Sequence, residues 1–102
     1  INIDVAAVPF FSGASEFVRR GLCPAGLYRN QDFYSPSVRI ASQVPTDVQN
    51  ILYDPQTSGG LLICLAPQQA EWLLSKLREA GMAEVAIIGE VVGEPRGIIT
   101  VK

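Results

Sequence analysis

The sequence predicts an α+β fold, an α/β sandwich in which helices pack on a mixed sheet, cut from a longer chain. Three observations carry that expectation. Apolar residues make up 48% of the 102-residue chain against 18% charged, enough to bury a core in a domain of this size. Segments with a helical period alternate with short apolar runs in the order β-α-loop-α-β-α-β-β, which calls for a sheet with helices against it. The first strand begins almost at Ile1, which is not an initiator Met, so the sequence reads as N-terminally truncated.

The elements follow in order. Ile3, Val5 and Ala7 alternate with Asp4, Ala6 and Val8, as in a strand. Ser12 can cap a helix that carries Glu16 in its first turn, buries Ala14, Phe17 and Val18, and ends at Gly21. From Gly21 to Pro45 no period dominates, and Pro24, Gly26, Asn30, Pro36 and Pro45 punctuate a long loop in which only Ser37 to Ala41 is extended. Thr46 and Gln49 have the spacing of a capping box for a helix burying Val48, Ile51 and Leu52. That helix must stop near Asp54, because Pro55 disfavours helical backbone in the residue before it.

Leu61 to Leu65 reads as a buried strand. Pro67 then suits the first position of a helix with the stripe Ala70, Leu73, Leu74 and Leu77, and Gly81 stands where a terminating glycine belongs. Trp72 falls on the opposite face with Gln68 and Glu79. Val85 to Val92 is predicted as a strand apolar on both faces, Gly93 to Gly97 as a loop, and Ile98 to Val101 as the returning strand.

The stretch Asp54-Pro55-Gln56-Thr57-Ser58-Gly59-Gly60 (DPQTSGG) stands out between the second helix and the apolar run. Asp, Thr and Ser can satisfy freed backbone groups with their own side chains. Two consecutive glycines at a strand mouth weaken the strand unless a backbone or a ligand must come close. Backbone N–H groups beside hydroxyls suit an anionic oxygen such as phosphate, and close backbone packing at a glycine bulge is the alternative. The loop lacks the Lys and the following helix of a Walker motif.

Composition excludes several classes. Net charge is -2, and the eight basic residues are scattered, so the footprint for a nucleic acid is missing. The longest apolar runs are too short to cross a bilayer and no leader opens the chain, so a soluble, cytoplasmic protein with no membrane partner is expected. Cys23 and Cys64, with no histidine, cannot build a zinc site and form no CxxC pair. Both are expected to be reduced thiols, with Cys64 a small core residue.

DPQTSGGLLI, the helix opening with Pro67, and Ile87-Ile88-Gly89-Glu90-Val91 together resemble the C-terminal segment of the selenophosphate synthetase (selenide, water dikinase) family. Asp4 to Pro9 (DVAAVP), Gly13-Ala14, Pro24-Ala25-Gly26 and Arg29-Asn30 resemble the preceding strand, helix and loop of the same enzymes. The chain departs from the family where Ala25-Gly26-Leu27 stands in place of Gly-Gly followed by Thr or Ser. Aminoimidazole ribonucleotide synthetase and its relatives are similar in fold but differ at DPQTSGG.

The resemblance implies that residues 1–102 are a single, partial C-terminal domain of a larger enzyme. That enzyme would use ATP and Mg2+ to phosphorylate selenide, releasing selenophosphate, AMP and phosphate, and would be a homodimer. Its reactive Cys or selenocysteine, Lys and metal-binding aspartates would lie upstream, so no catalytic or metal-ligating residue is expected here and the piece alone is expected to be inactive. Asn30, Asp54, Thr57, Ser58, Gly59 and Gly60 would line the cleft side facing the N-terminal nucleotide-binding domain of the same chain. The alternative is a noncatalytic phosphate-binding or packing/oligomerisation module of the same fold fused to another protein.

Overall fold

A computed structural model describes residues 1–102. Four strands form one sheet in the order β2-β4-β1-β3. They are β1 (Asn2–Ile3), β2 (Val38–Ile40), β3 (Gly89–Glu90) and β4 (Ile99–Val101). β4 runs parallel to both β2 and β1, and β3 pairs antiparallel with β1. The sheet is mixed, and helices α1 (Ala14–Arg19), α2 (Ala25–Tyr34), α3 (Thr46–Leu52) and α4 (Pro67–Glu79) complete the α+β architecture that the sequence predicts.

Both glycine-terminated helices end where expected, although Phe17, expected on the buried face of α1, is exposed. Gly21 and Gly81 have φ of 76° and 90°, a region that only glycine enters without a Cβ penalty. Leu22 N–H donates to the Phe17 carbonyl and Gly21 N–H to Val18; Met82 and Gly81 repeat the pair on Leu77 and Arg78. These are Schellman closures, which satisfy carbonyls left open at a helix end. Pro67 opens α4, whose Ala70, Leu73, Leu74 and Leu77 are half-buried while Trp72 is 63% exposed.

Other expectations are corrected. The first strand stops at Ile3 because the Asp4 side chain accepts from Ala6 N–H at 3.0 Å and starts a 3-10 turn over Val5–Ala7. Ser12 does not cap α1. A turn closed by Ala14 N–H to the Phe11 carbonyl puts Gly13 at φ 84° and ψ -11°, values of the third residue of a type II turn. The stretch after Pro24, expected as loop, is helical through Tyr34. The capping box is not formed either, since Pro45 precedes the first helical residue, Thr46, and Gln49 Nε2 donates to the Val44 carbonyl at 2.8 Å.

Leu61 to Leu65 is not a strand and is not buried, for no strand lies beside it; Leu61 is 90% exposed and Cys64 is exposed rather than in a core. The strand expected over Val85 to Val92 shortens to Gly89–Glu90, because its partner β1 offers only Asn2 and Ile3. Only Leu27, Val44, Tyr53 and Val101 are buried. Leu27 lies on α2 and Val101 on β4, while Val44 and Tyr53 stand just before and just after α3.

Candidate functional site

Helix α2 positions the DPQTSGG loop. Pro24 precedes it with extended backbone, φ -69° and ψ 145°, and a proline that has no N–H to lose is tolerated at a helix start. Residues three and four apart share a helix face, so Gly26 and Asn30 look the same way, with Leu27, only 1% exposed, beside them. That face meets the end of α3. Asn30 Nδ2 donates to the Tyr53 carbonyl at 2.9 Å in a partly buried bond, which occupies an acceptor left free where α3 ends.

Gly26 makes the second contact. A Cβ at Gly26 would sit 2.8 Å from Pro55 Cγ and 3.1 Å from Pro55 Cβ. The absent side chain is what lets α2 lie against the proline ring, the close backbone approach for which glycine is suited. Tyr53, whose carbonyl takes the Asn30 bond, is buried, and desolvation raises its phenol above the ordinary tyrosine range.

Beyond Pro55 the loop is open. Asp54, Thr57, Ser58, Gly59 and Gly60 are all exposed, with a turn at Thr57–Ser58. Gly59 packs against its own loop, where a Cβ would meet Gln56 Oε1 at 2.6 Å. At Gly60 a Cβ would meet nothing within 4 Å, and neither glycine has a positive φ. The bulge expected from the sequence is therefore not what requires Gly60. The hydroxyls of Thr57 and Ser58 and the carboxylate of Asp54 also take no part in the side-chain hydrogen bonds of the chain. Their expected service to the local backbone is replaced by outward-facing donors and acceptors beside open space.

The structure thus brings Asn30 to the base of the loop, carries Asp54, Thr57, Ser58, Gly59 and Gly60 along it, and adds Gly26 and Pro55, which sequence reasoning did not include in the site. The signal for Gly26 was its four-residue spacing from Asn30, which has meaning only once α2 is recognised as a helix. No group of three or more Cys, Asp or Glu side chains could hold a metal ion. Exposed hydroxyls and backbone amides beside two glycines fit an anionic oxygen.

Comparison with known proteins gives this geometry its context. The family described as AIR synthase related protein, C-terminal domain, matches residues 1–102. The selenide, water dikinase of Clostridioides difficile (strain 630) is 43% identical over 101 residues, covering 99% of this chain and 29% of the relative. That of Pelobacter propionicus is 42% identical over 102 residues, with coverage of 100% and 29%. Selenide, water dikinase 2 of Peptoclostridium acidaminophilum is 36% identical over 102 residues, with 99% and 29%. The chain spans about 29% of the length of these curated relatives.

Proposed function

The chain belongs to the AIR synthase related protein family as its C-terminal domain, and we propose on that footing that it is the C-terminal part of a cytoplasmic selenophosphate synthetase. The parent would transfer a phosphoryl group from ATP to selenide and hydrolyse the remaining phosphoanhydride bond with one water, yielding selenophosphate, AMP and phosphate. Phosphoryl transfer is catalysed chiefly by positioning and by stabilising charge on phosphoryl oxygens. In this reading α2 holds the DPQTSGG loop as one wall of the cleft, facing the nucleotide-binding domain of the same polypeptide in a homodimeric parent.

The single observation that carries the reading is the outward display of Thr57, Ser58 and Gly60 on a loop anchored at its base by Asn30 and Gly26. Thr57 and Ser58 would donate hydroxyl hydrogens to a phosphoryl oxygen, and Gly60 would admit it to close range. Magnesium, which neutralises a polyphosphate, would be held by carboxylates elsewhere in the parent. No step of the reaction is assigned to the metal by this chain.

The purified full-length parent is expected to form AMP from ATP only when selenide is present. The 102-residue chain alone is expected to form none above a buffer control. AMP formation by the isolated chain would show that it holds catalytic groups of its own, and a parent without selenide-dependent AMP formation would remove the proposed reaction.

A further inference from the structure

We propose that Arg29 binds a phosphoryl oxygen held over the Asp54–Gly60 loop, an inference that rests on the phosphoryl-transfer reading above. Long helical side chains lean toward the N-terminus of their helix, and Arg29 follows Gly26 by three residues in α2. Its Nη2 lies 3.8 Å from the point a Gly26 Cβ would take, and that point is 2.8 Å from Pro55 Cγ. The guanidinium therefore sits at the junction of α2 with the loop.

It is also uncommitted. Arg19, Arg20, Lys76 and Arg96 each lie within 4.0 Å of a carboxylate, whereas Arg29 has no such partner. The junction does not need it for support, because the Asn30 bond to Tyr53 and the Gly26 contact with Pro55 already hold the two elements together. Asp54 at the head of the loop repels a polyphosphate, and like charges at close range are costly unless a cation offsets them. Arg29 offsets it. A planar fork of five donors matches phosphate oxygens in a bidentate way that Lys cannot copy.

The test is made on the full-length parent by calorimetric titration with ATP and, separately, with inorganic phosphate, beside steady-state turnover. Arg29→Gln is expected to weaken at least one of the two ligands about tenfold with an unchanged melting temperature, and Arg29→Lys should fall between it and the parent. Loss on ATP alone places the contact on the nucleotide, and loss on phosphate places it on the free anion. Arg78→Gln, an exposed and unpaired arginine on α4, should change neither. Equal affinities for both ligands in Arg29→Gln, or a parent that binds neither, would overturn the proposal. A parent that lacks selenide-dependent turnover but loses phosphate affinity on Arg29→Gln would instead leave Arg29 in place and remove the reaction assigned above.

Discussion

Gly26→Ala in the full-length parent is expected to lower turnover about tenfold or more while the melting temperature moves by only a few degrees. Two effects of opposite sign act on stability. Alanine gains about 0.5–1 kcal/mol over glycine in a helix interior, and less at Gly26, the second residue of α2. Against this, its Cβ would stand 2.8 Å from Pro55 Cγ, about 0.7 Å inside an ordinary carbon–carbon contact. A proline ring cannot swing away by rotation, so the loop backbone must move. The folding terms offset each other only in part, but a displaced loop also misplaces Thr57 and Ser58, and displacements of about 1 Å can cost about a hundredfold in rate. Turnover and a thermal melt on the same preparation check this, and normal turnover would show that the α2 contact does not position a working loop.

Gly89→Ala should have the opposite signature, a loss of stability of roughly 1–3 kcal/mol, read as a melting temperature lower by several degrees. Gly89 pairs with Ile3 across the β1–β3 ladder. An added Cβ would collide with the Asn2 carbonyl and would lie 3.0 Å from Ile3 Cα. These are backbone atoms in hydrogen-bonded chain and have nowhere to go. β3 must then leave β1, and the Asp4 N–H to Ile88 carbonyl bond beside it, 2.9 Å long, goes with it. Gly93→Ala is the control, because a Cβ there meets nothing within 4 Å. Equal melting temperatures for the two variants would contradict the β1–β3 pairing.

These positions also show how much could be read from sequence. Helix ends at Gly21 and Gly81 and the start at Pro67 were legible because glycine and proline constrain backbone locally, whatever surrounds them. Helix α2 was not, because its apolar residues do not form one stripe. Leu27 faces inward while Tyr28, Phe33 and Tyr34 are exposed, Phe33 and Tyr34 stacking edge to face with centroids 4.9 Å apart. Leu61 to Leu65 failed for a different reason. Apolar composition announces that a segment suits burial, but a strand exists only with a partner, and pairing is a property of distant chain.

The site was partly legible in the same sense. DPQTSGG could be singled out by its residue types, and Asn30 by resemblance, yet the bond from Asn30 to Tyr53 joins residues 23 apart and depends on a helix that the pattern did not reveal. Arg29 stands next to Asn30 in sequence, but a site role for it likewise depends on that helix. Its place over Gly26 follows only from the helical lean of its side chain.

The central claim is that the DPQTSGG loop works on a ligand and is not merely a turn, and Thr57→Val combined with Ser58→Ala in the full-length parent tests it most directly. The changes keep approximate volume and remove only the hydroxyls, which serve no other group of this chain. Selenide-dependent turnover should fall about tenfold or more, equivalent to about 1.4 kcal/mol or more of transition-state stabilisation, with the melting temperature nearly unchanged. Normal turnover, or a loss of stability of roughly 0.5–2 kcal/mol per hydroxyl at unchanged turnover, would contradict it and leave the loop as turn chemistry alone.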